Sequence, residues 1–373
     1  MKNNYKIIIL ETETMKRILI IIGQMDVGGA ESFIMKMYRA IDRERYQFDF
    51  IIAKDGFYSE EIKKLGGKIY YTTVKSKNLF KSMKQITQIV KDNGYENVVR
   101  FGTSNAAYFD LLAAKKGGAK NLGVRTLSAN QGTFFKRTAS LILRPFLNSI
   151  ATIKFAPSLK AANATYGKNT KKLCILNNGI AYSQFEFNQE KRATIRDELK
   201  IKQDAVVFGH VGRLSKEKNH DFLLNVFSRY HSINNNSFLV CVGDGPLMNE
   251  MKEKAKNLTI DKNILFLGIR QDISNIYSSF DYFLFPSLFE GMPNSLIEAQ
   301  ANGLTCLYSD LITKECELSK NIYRLELNEE LWVDKILSCS QKRTNNYDSF
   351  KEHKYLIENT IETFISKLTN TKY

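Results

Sequence analysis

Residues 285–298 read FPSLFEGMPNSLIE and join a strand pattern to a helix pattern. The stretch begins with the end of an apolar run of the kind that forms a buried strand. Residues 293–295 favour the start of a helix, and the Asn-Gly pair at 302–303 predicts its end. We therefore expect a strand–loop–helix unit with Glu290 in the loop and Glu298 about one turn inside the helix.

The two glutamates of this unit are suited to binding hydroxyl groups. The carboxylate of Glu298 can accept two hydrogen bonds from the vicinal hydroxyls of a ribose, and Glu290, beside Gly291, can reach a sugar. The exposed N–H groups of residues 292–295 favour a phosphate. Two ordinary surface charges are the alternative, which this spacing disfavours.

A pair of cations precedes this unit in the chain. Residues 208–220 read FGHVGRLSKEKNH, a strand pattern that ends in glycine and is followed by Arg213 and Lys218. Open α/β sheets bind ligands at the carboxyl ends of their strands, where two fixed cations can neutralise a departing nucleoside diphosphate. The alternative is a pair of solvated surface charges. A turn at residues 242–246, VGDGP, either shapes the same pocket or is purely structural.

Strand-like and helical patterns alternate along the chain, which is typical of parallel sheets with helices on both faces. The first set of predicted strands covers residues 17–22, 48–52, 68–71, 97–101, 122–127 and 150–155. After a turn and a polar linker, a second set covers residues 206–211, 238–242, 264–267, 281–285 and 305–308. We predict an α/β protein with two doubly wound Rossmann-like domains, at residues 15–187 and 188–345.

Both ends of the chain lie outside this alternation. Residues 346–373 have apolar residues at helical spacing and no strand after them, so we predict a C-terminal helix that packs back across an existing surface. Residues 1–14 precede the first good strand and are interpreted as an N-terminal extension. With 373 residues, 43% of them hydrophobic, the chain has enough apolar material for two cores.

A Gly-Gly turn follows the first predicted strand, where residues 23–31 read GQMDVGGAE. Gly28 and Gly29 let the backbone approach a ligand closely, and the free N–H groups of the helix start favour phosphate. Such turns occur in many α/β folds, and this one lacks the GxGxxG pattern of an ordinary dinucleotide site.

The excess positive charge is confined to the first half of the chain. Residues 1–187 carry 30 Lys and Arg against 14 Asp and Glu, a net of +16, whereas residues 188–373 carry 24 against 25, a net of −1. No acidic residue occurs between 111 and 185. Such a surface favours nucleic acid, anionic lipid headgroups or a phosphorylated substrate. The alternative is that the excess charge only aids solubility.

Residues 134–147, FFKRTASLILRPFL, lie in this acid-free stretch and mix aromatic, aliphatic and basic residues. A basic amphipathic helix can rest on anionic headgroups. We therefore predict a membrane or acceptor face, which comprises Phe134, Phe135, Lys136, Arg137 and Arg144. The alternative is an internal helix that covers the first sheet.

Composition disfavours several other classes of protein. No run approaches the ~20 apolar residues that span a bilayer, and the N-terminus lacks a secretory pattern. The five cysteines are scattered without a CxxC pair. We expect a cytoplasmic protein with reduced thiols, no metal and no cofactor. No nucleic-acid module with interleaved aromatic residues occurs, so nucleic acid is not an expected partner.

Four pieces of the sequence carry a resemblance that covers nearly the whole chain from Met15. They are the glycine turn at 28–31, Asn178-Gly179-Ile180, Val211-Gly212-Arg213 with Lys218, and Glu290 with seven residues before Glu298. In these the chain resembles the retaining GT-B glycosyltransferases of glycosyltransferase family four, particularly the bacterial capsule and exopolysaccharide type. The resemblance implies two Rossmann-like domains facing a cleft, the first binding an acceptor and the second a nucleotide-sugar donor.

The resemblance also implies a reaction. A sugar would move from a nucleotide diphosphate, expected to be a UDP-sugar, to a lipid-linked or oligosaccharide acceptor on the inner face of the cell membrane, without a metal ion. Arg213 and Lys218 would bind the donor diphosphate, and Glu290 would hold the donor sugar; these three are the expected catalytic residues. The predicted donor site comprises Gly28, Gly29, Arg213, Lys218, Ile269, Arg270, Glu290, Gly291, Met292, Pro293, Asn294, Ser295 and Glu298, with Glu298 on the ribose.

One departure from the family concerns the acceptor proton. Many relatives carry histidines in the N-terminal domain, whereas the four histidines of this chain all lie at position 210 or later. Either the donor phosphate takes the proton in a front-face retaining step, which we favour, or Asp26, Glu31 or Asp110 assists.

Two other functions stay open. One is a nucleotide-sugar epimerase or phosphorylase on the same frame, against which the two glutamates and two cations argue. The other is a catalytically impaired sugar-nucleotide-binding subunit, which the missing histidines and the basic first half suggest.

Overall fold

The computed structural model of the protein describes residues 15–26, 28–127 and 134–369, with the side chains of 134–137 and 139 left out. The predicted N-terminal extension, residues 1–14, lies outside the described residues. The chain divides into two compact units, one formed by Met1–Leu176 with Ile361–Tyr373 and the other by Asn177–Thr360.

The first unit contains a seven-stranded parallel sheet with strand order β3-β2-β1-β4-β5-β6-β7. Its strands are β1 (Lys16–Ile21), β2 (Tyr46–Ile52), β3 (Ile69–Tyr71), β4 (Asn97–Phe101), β5 (Asn121–Arg125), β6 (Ile153–Ala156) and β7 (Leu173–Ile175). Its helices are α1 (Gly29–Ala40), α2 (Ser59–Lys64), α3 (Leu79–Asn93), α4 (Ala107–Lys116), α5 (Phe134–Ile150) and α6 (Leu159–Tyr166). All residues of β2 and β6 are buried, because helices cover both faces of such a sheet.

The second unit contains a six-stranded parallel sheet with strand order β10-β9-β8-β11-β12-β13. Its strands are β8 (Val206–Val211), β9 (Ser237–Val242), β10 (Ile264–Gly268), β11 (Tyr282–Phe285), β12 (Thr305–Ser309) and β13 (Ile322–Leu325). Its helices are α7 (Tyr182–Phe185), α8 (Gln189–Glu198), α9 (His220–Ile233), α10 (Met248–Asn257), α11 (Ile273–Ser279), α12 (Asn294–Ala301), α13 (Glu329–Ser338) and α14 (Tyr347–Glu352), followed by α15 (Ile357–Thr369). The order of strands reverses between β8 and β11, which places the first strand of the unit at the switch point where open α/β sheets bind ligands.

Each predicted strand overlaps an observed one, and the prediction of parallel α/β units is confirmed. The strands that the sequence did not indicate are β7 and β13, which lie at the edges of their sheets. Both are short and incompletely buried: β7 has only three residues, and the exposed Arg324 interrupts β13.

The division between the units differs from the predicted boundary at 187/188. The observed boundary follows Leu176 because Ile180, Tyr182 and Phe185 are buried in the core of the second unit. Tyr182 and Phe185 belong to the segment 182–190, which its polar composition marked as a linker. Their contacts within the second unit therefore outweigh the polar residues around them.

The predicted C-terminal helix is two helices, α14 and α15. They are separated because Leu356 forms an isolated parallel bridge with Ile180, and Lys354 adopts a left-handed backbone conformation. The last turns of α15 pack back on the first sheet, as expected. The ring of Phe364 lies 5.4 Å from that of Phe155, centroid to centroid.

Candidate functional site

The carboxyl edge of the second sheet is built from closely packed backbone. The N–H of Gly243 donates to the carbonyl of Gly268 at 2.8 Å, and the N–H of Gly212 donates to the carbonyl of Val242 at 2.9 Å. Gly243 has φ +132°, and a β-carbon there would overlap the Gly212 carbonyl oxygen. The predicted turn at 242–246 therefore holds the loops after β8, β9 and β10 together at the edge where ligands bind.

Arg213 follows this edge directly and is exposed. Among the described residues its guanidinium has no hydrogen-bond or ion-pair partner. A planar group with five donors at the carboxyl end of a parallel sheet is suited to an anion with several oxygens, such as a phosphate. The exposed guanidinium of Arg213, the first predicted cation, is thus available to bind a ligand.

Lys218 lies on a short 3-10 turn, Lys216–Lys218, and forms an ion pair with Glu290. Its ammonium group also lies 5.0 Å from the centre of the Phe285 ring, within range of a cation–π interaction. The loop that carries Glu290 is attached to this turn, because the N–H of Leu288 donates to the carbonyl of Glu217 at 2.8 Å. The structure therefore brings together two residues that lie far apart in the sequence and were predicted to act on one donor.

Glu298 lies inside α12, as predicted, with Pro293 at the N-cap and Asn302 at the C-cap. The hydroxyl of Tyr277 donates to Glu298 Oε2 at 3.1 Å and lies 3.0 Å from the carbonyl of Ser295. Burial, followed by the charge of Glu298, raises the pKa of Tyr277, so this hydroxyl keeps its proton. Tyr277 orients Glu298, and the sequence analysis did not single it out.

The start of α12 is fixed by two more contacts. The amide of Asn178 donates to Asn294 Oδ1 at 3.0 Å, which gives the Asn178-Gly179-Ile180 motif a structural role. The hydroxyl of Tyr355 donates to the sulfur of Met292 at 3.5 Å. A β-carbon at Gly291 would have no neighbour within 4 Å, so this glycine leaves open space beside Glu290.

The loop after β10 presents Ile269, which is 67% exposed. Arg270 beside it is engaged by two carboxylates: its Nε donates to Asp272 at 2.8 Å, and its Nη1 donates to Glu198 at 2.7 Å. The hydrogen bonds to Asp272 and Glu198 raise the pKa of Arg270. Arg270 therefore fixes the loop, whereas Ile269 supplies an exposed apolar surface.

A pair of buried histidines lies beneath the Lys218 side chain. The rings of His210 and His220 are 4.7 Å apart, and His210 Nδ1 lies 2.8 Å from the Leu284 carbonyl oxygen. Burial lowers the pKa of both, to about 4 for His220, with the charge of Lys218 as a further cause. The two rings are therefore neutral at pH 7 and add no positive charge beside Lys218.

In the first unit, α1 begins at Gly29 with Gly28 as its N-cap. A β-carbon at Gly28 would overlap the Glu31 carboxylate, while one at Gly29 would have no neighbour within 4 Å. Burial, followed by the nearby charge of Asp26, raises the pKa of Glu31. The glycine turn and two of the three predicted proton acceptors therefore lie together at the end of β1.

Asp110, the third predicted proton acceptor, lies in different surroundings. It is fully buried, and its Oδ2 accepts hydrogen bonds from Lys75 at 2.5 Å and from Arg100 at 2.7 Å. Two cations thus occupy this carboxylate oxygen. Asp110 is therefore poorly suited to take a proton from an acceptor.

Comparison with known proteins relates this site to a family. The family model described as glycosyl transferases group 1 matches residues 191–355, which include both cations and both glutamates. A Bacillus subtilis protein described as a glycosyltransferase, EpsF, is 31% identical over 349 residues, or 90% of this chain and 91% of that protein. The chain belongs to the group 1 glycosyltransferases.

Other relatives carry more specific names. A galactosyltransferase of Escherichia coli, named for UDP-Gal and a diphosphoundecaprenol-linked GlcNAc, is 33% identical over 47% of this chain and 49% of its own. CapH, a capsular polysaccharide biosynthesis glycosyltransferase of Staphylococcus aureus, is 23% identical over 86% of this chain and 90% of its own. The crystal structure of Anabaena HepE with UDP superposes with a TM-score of 0.78 at 16% identity, covering 96% of this chain and 100% of that one. The fold is therefore GT-B.

In this group 1 glycosyltransferase the predicted membrane face lies on α5. The side chains of Phe134, Phe135, Lys136 and Arg137 are outside the described residues. Arg144 donates to the carbonyls of Thr165 at 3.2 Å and Ala164 at 2.9 Å, so it caps α6 instead of facing a partner. The exposed residues of this helix include Leu141, Ile142 and Phe146.

The described residues contain neither a membrane-spanning helix nor a cluster of metal ligands. No helix in that part of the chain is long and apolar enough to cross a bilayer. Nor do three or more histidine, cysteine, aspartate or glutamate side chains converge there in a way that could hold a metal ion.

Proposed function

We propose that this protein is a retaining glycosyltransferase that moves a sugar from a UDP-sugar to a lipid-linked or oligosaccharide acceptor in capsule or exopolysaccharide biosynthesis. The observation that carries the proposal is the grouping of exposed Arg213 with the Lys218–Glu290 pair at the ligand-binding edge of the second sheet. The names of the relatives support the acceptor and the pathway class. The UDP bound by HepE supports the nucleotide.

Arg213 and Lys218 hold the donor diphosphate in this proposal. Two fixed cations stabilise the charge that develops on the leaving group, as a divalent ion does in other transferases. Lys218 must then share its ammonium group between Glu290 and a phosphate. Because the reaction needs no metal ion, its rate is expected to be unchanged by EDTA.

The remaining parts of the donor contact separate elements of the second unit. Glu298 accepts the ribose hydroxyls while Tyr277 holds one of its oxygens, and Ile269 lies against the base. Glu290, released in part from Lys218, holds hydroxyls of the donor sugar.

The acceptor proton passes to the donor phosphate in the proposed front-face step. The ion pairs of Asp110 argue against its use as a base. Glu31, whose pKa is raised by burial, is the best alternative acceptor among the three carboxylates. A Glu31→Gln variant that transfers sugar at the native rate supports the phosphate, whereas a loss of about 100-fold assigns the role to Glu31.

We also propose that α5 rests on the inner face of the cell membrane. Its exposed Leu141, Ile142 and Phe146 are spaced along one helix in the basic half of the chain, so apolar insertion and charge attraction act together. Ile142→Asp is expected to weaken sedimentation with anionic vesicles several-fold. Ile233→Asp, at an equally exposed position on α9, is the matched control and is expected to have no effect. Equal sedimentation with neutral and anionic vesicles would contradict the proposal.

The experiment that tests the transfer itself is release of nucleoside diphosphate from a panel of nucleotide sugars, with a membrane lipid extract as acceptor. Release that requires the extract supports the proposal. A product that retains its nucleotide would instead indicate an epimerase. Binding of UDP without any turnover would indicate an impaired subunit.

A further inference from the structure

A cavity of about 170 Å³ lies at the carboxyl edge of the first sheet, wholly within the first unit. It opens where β1, β2, β3 and β4 end, and α3 closes one side. This is again the switch point of a doubly wound sheet, because the strand order reverses between β1 and β4. The volume exceeds that of a few water molecules and is below that of a typical drug-sized site, so it suits one sugar ring.

The polar end of this cavity is formed by Lys75, Arg100 and Asp110. These groups carry two positive charges and one negative charge. Asp110 Oδ2 accepts from both cations, while its Oδ1 is buried and has no hydrogen-bond partner among the described residues. A buried oxygen of this kind is costly unless a donor is supplied, and a ligand hydroxyl is such a donor.

One of the two cations, Arg100, also has an unused hydrogen-bond donor. Arg100 uses Nε on Asp110 and Nη1 on the carbonyl of Ile21, at 3.1 Å, and within the described ranges its Nη2 has no partner. Burial, followed by the charge of Arg100, lowers the pKa of Lys75, as expected where one carboxylate serves two cations. Because two cations face one carboxylate, the cavity holds one surplus positive charge. That charge lies next to apolar walls such as Ile51 and Val74.

We propose that this cavity binds an acidic sugar unit of the acceptor, with its anionic group beside Lys75 and Arg100 Nη2 and a neighbouring hydroxyl donating to Asp110 Oδ1. The proposal rests on the transfer reaction proposed above and names the chemical class of its acceptor. Threonine and serine hydroxyls of the lining, Thr72 and Ser82 among them, are available for the other ring hydroxyls. The anionic group is a carboxylate or a phosphate, which share this chemistry.

The test measures binding of single sugars to the full chain by saturation-transfer difference NMR. Glucuronate, glucose 6-phosphate and glucose are compared, and the acid that binds more tightly identifies the anionic group. At least one acid is expected to bind ten or more times more tightly than glucose. Lys75→Gln is expected to remove that preference, and Lys75→Arg, which keeps the charge, to retain it.

Lys77→Gln is the matched control, because Lys77 is an exposed lysine on the same loop. Equal binding of both acids and glucose would overturn the proposal, as would a preference that survives in a folded Lys75→Gln protein. If an acid binds at this cavity but no donor yields nucleoside diphosphate, the proposed transfer reaction is refuted and the cavity assignment is retained. If nucleoside diphosphate is released but neither acid is preferred over glucose, the cavity assignment is refuted and the transfer reaction is retained.

Discussion

The ion pair between Lys218 and Glu290 leads to an unusual expectation for the variant Glu290→Gln. The amide keeps the shape of the side chain and removes its negative charge from beside the proposed diphosphate site. Lys218 is then free to act on a phosphate. We expect the variant to bind UDP more tightly than the native protein while losing sugar transfer.

The magnitude follows from the exposure of the pair. The side chains of Lys218 and Glu290 are 16% and 18% exposed, between a surface pair and a fully buried one. Releasing the lysine from such a pair is worth about 1 kcal/mol, or roughly a fivefold decrease in the Kd for UDP. Arg213→Ala has the opposite effect: the loss of a charged hydrogen bond of about 1.5–3 kcal/mol weakens UDP binding roughly 10- to 150-fold.

Isothermal titration calorimetry with UDP measures both effects, and the transfer rate is measured beside it. Glu253→Gln, which removes a carboxylate from the exposed face of α10, is the matched control and is expected to leave both unchanged. Weaker UDP binding in both Glu290→Gln and Arg213→Ala would refute the assignment of Glu290 to the sugar. So would native transfer by Glu290→Gln.

Two further predictions concern stability. Gly243→Ala forces a β-carbon into the Gly212 carbonyl at φ +132° and is expected to lower the Tm by about 5 °C or more, whereas Gly291→Ala, with open space around it, leaves the Tm unchanged. Similar melting of the two variants would contradict this account of the sheet edge. Because burial lowers the pKa of His220 from 6.5 to about 4, its contribution to stability is present above pH 6.5 and is lost as the pH falls toward 4. Urea unfolding at pH 7 and pH 5 is expected to show a loss of stability to which His220 contributes about 2 kcal/mol. His220→Gln is expected to reduce the loss by that amount, whereas His353→Gln, at an exposed histidine, is expected to leave it unchanged. An equal loss in both variants would count against it.

The sequence predicts the elements of this fold because the central strands are continuous apolar runs that alternate with helical patterns. It does not predict β13, where an exposed Arg324 interrupts the apolar run at a sheet edge. It also places the domain boundary too late. The burial of Tyr182 and Phe185 depends on distant partners, such as the packing of Tyr182 against Phe350, which no local pattern reveals.

For the site, spacing predicted which charged residues occur in the ligand-binding loops but not how they pair. The Lys218–Glu290 contact joins two loops 72 residues apart, and the role of Tyr277 toward Glu298 depends on packing between α11 and α12. The ion pairs of Asp110 likewise involve Lys75, on a loop with no distinguishing motif. The charged residues that would contact a ligand can be predicted from local sequence patterns. The groups that orient those residues depend on tertiary contacts, which local patterns do not reveal.

The central claim is that Arg213 and Glu290 belong to one site that transfers a sugar from a nucleotide donor. The most direct measurement is nucleoside diphosphate release with lipid extract as acceptor, compared for the native protein, Arg213→Ala and Glu290→Ala. NMR of the glycosylated product gives its anomeric configuration. We predict a loss of at least about 100-fold in both variants and a product with the anomeric configuration of the donor. Release by either variant at the native rate, or a product of inverted configuration, would contradict the account.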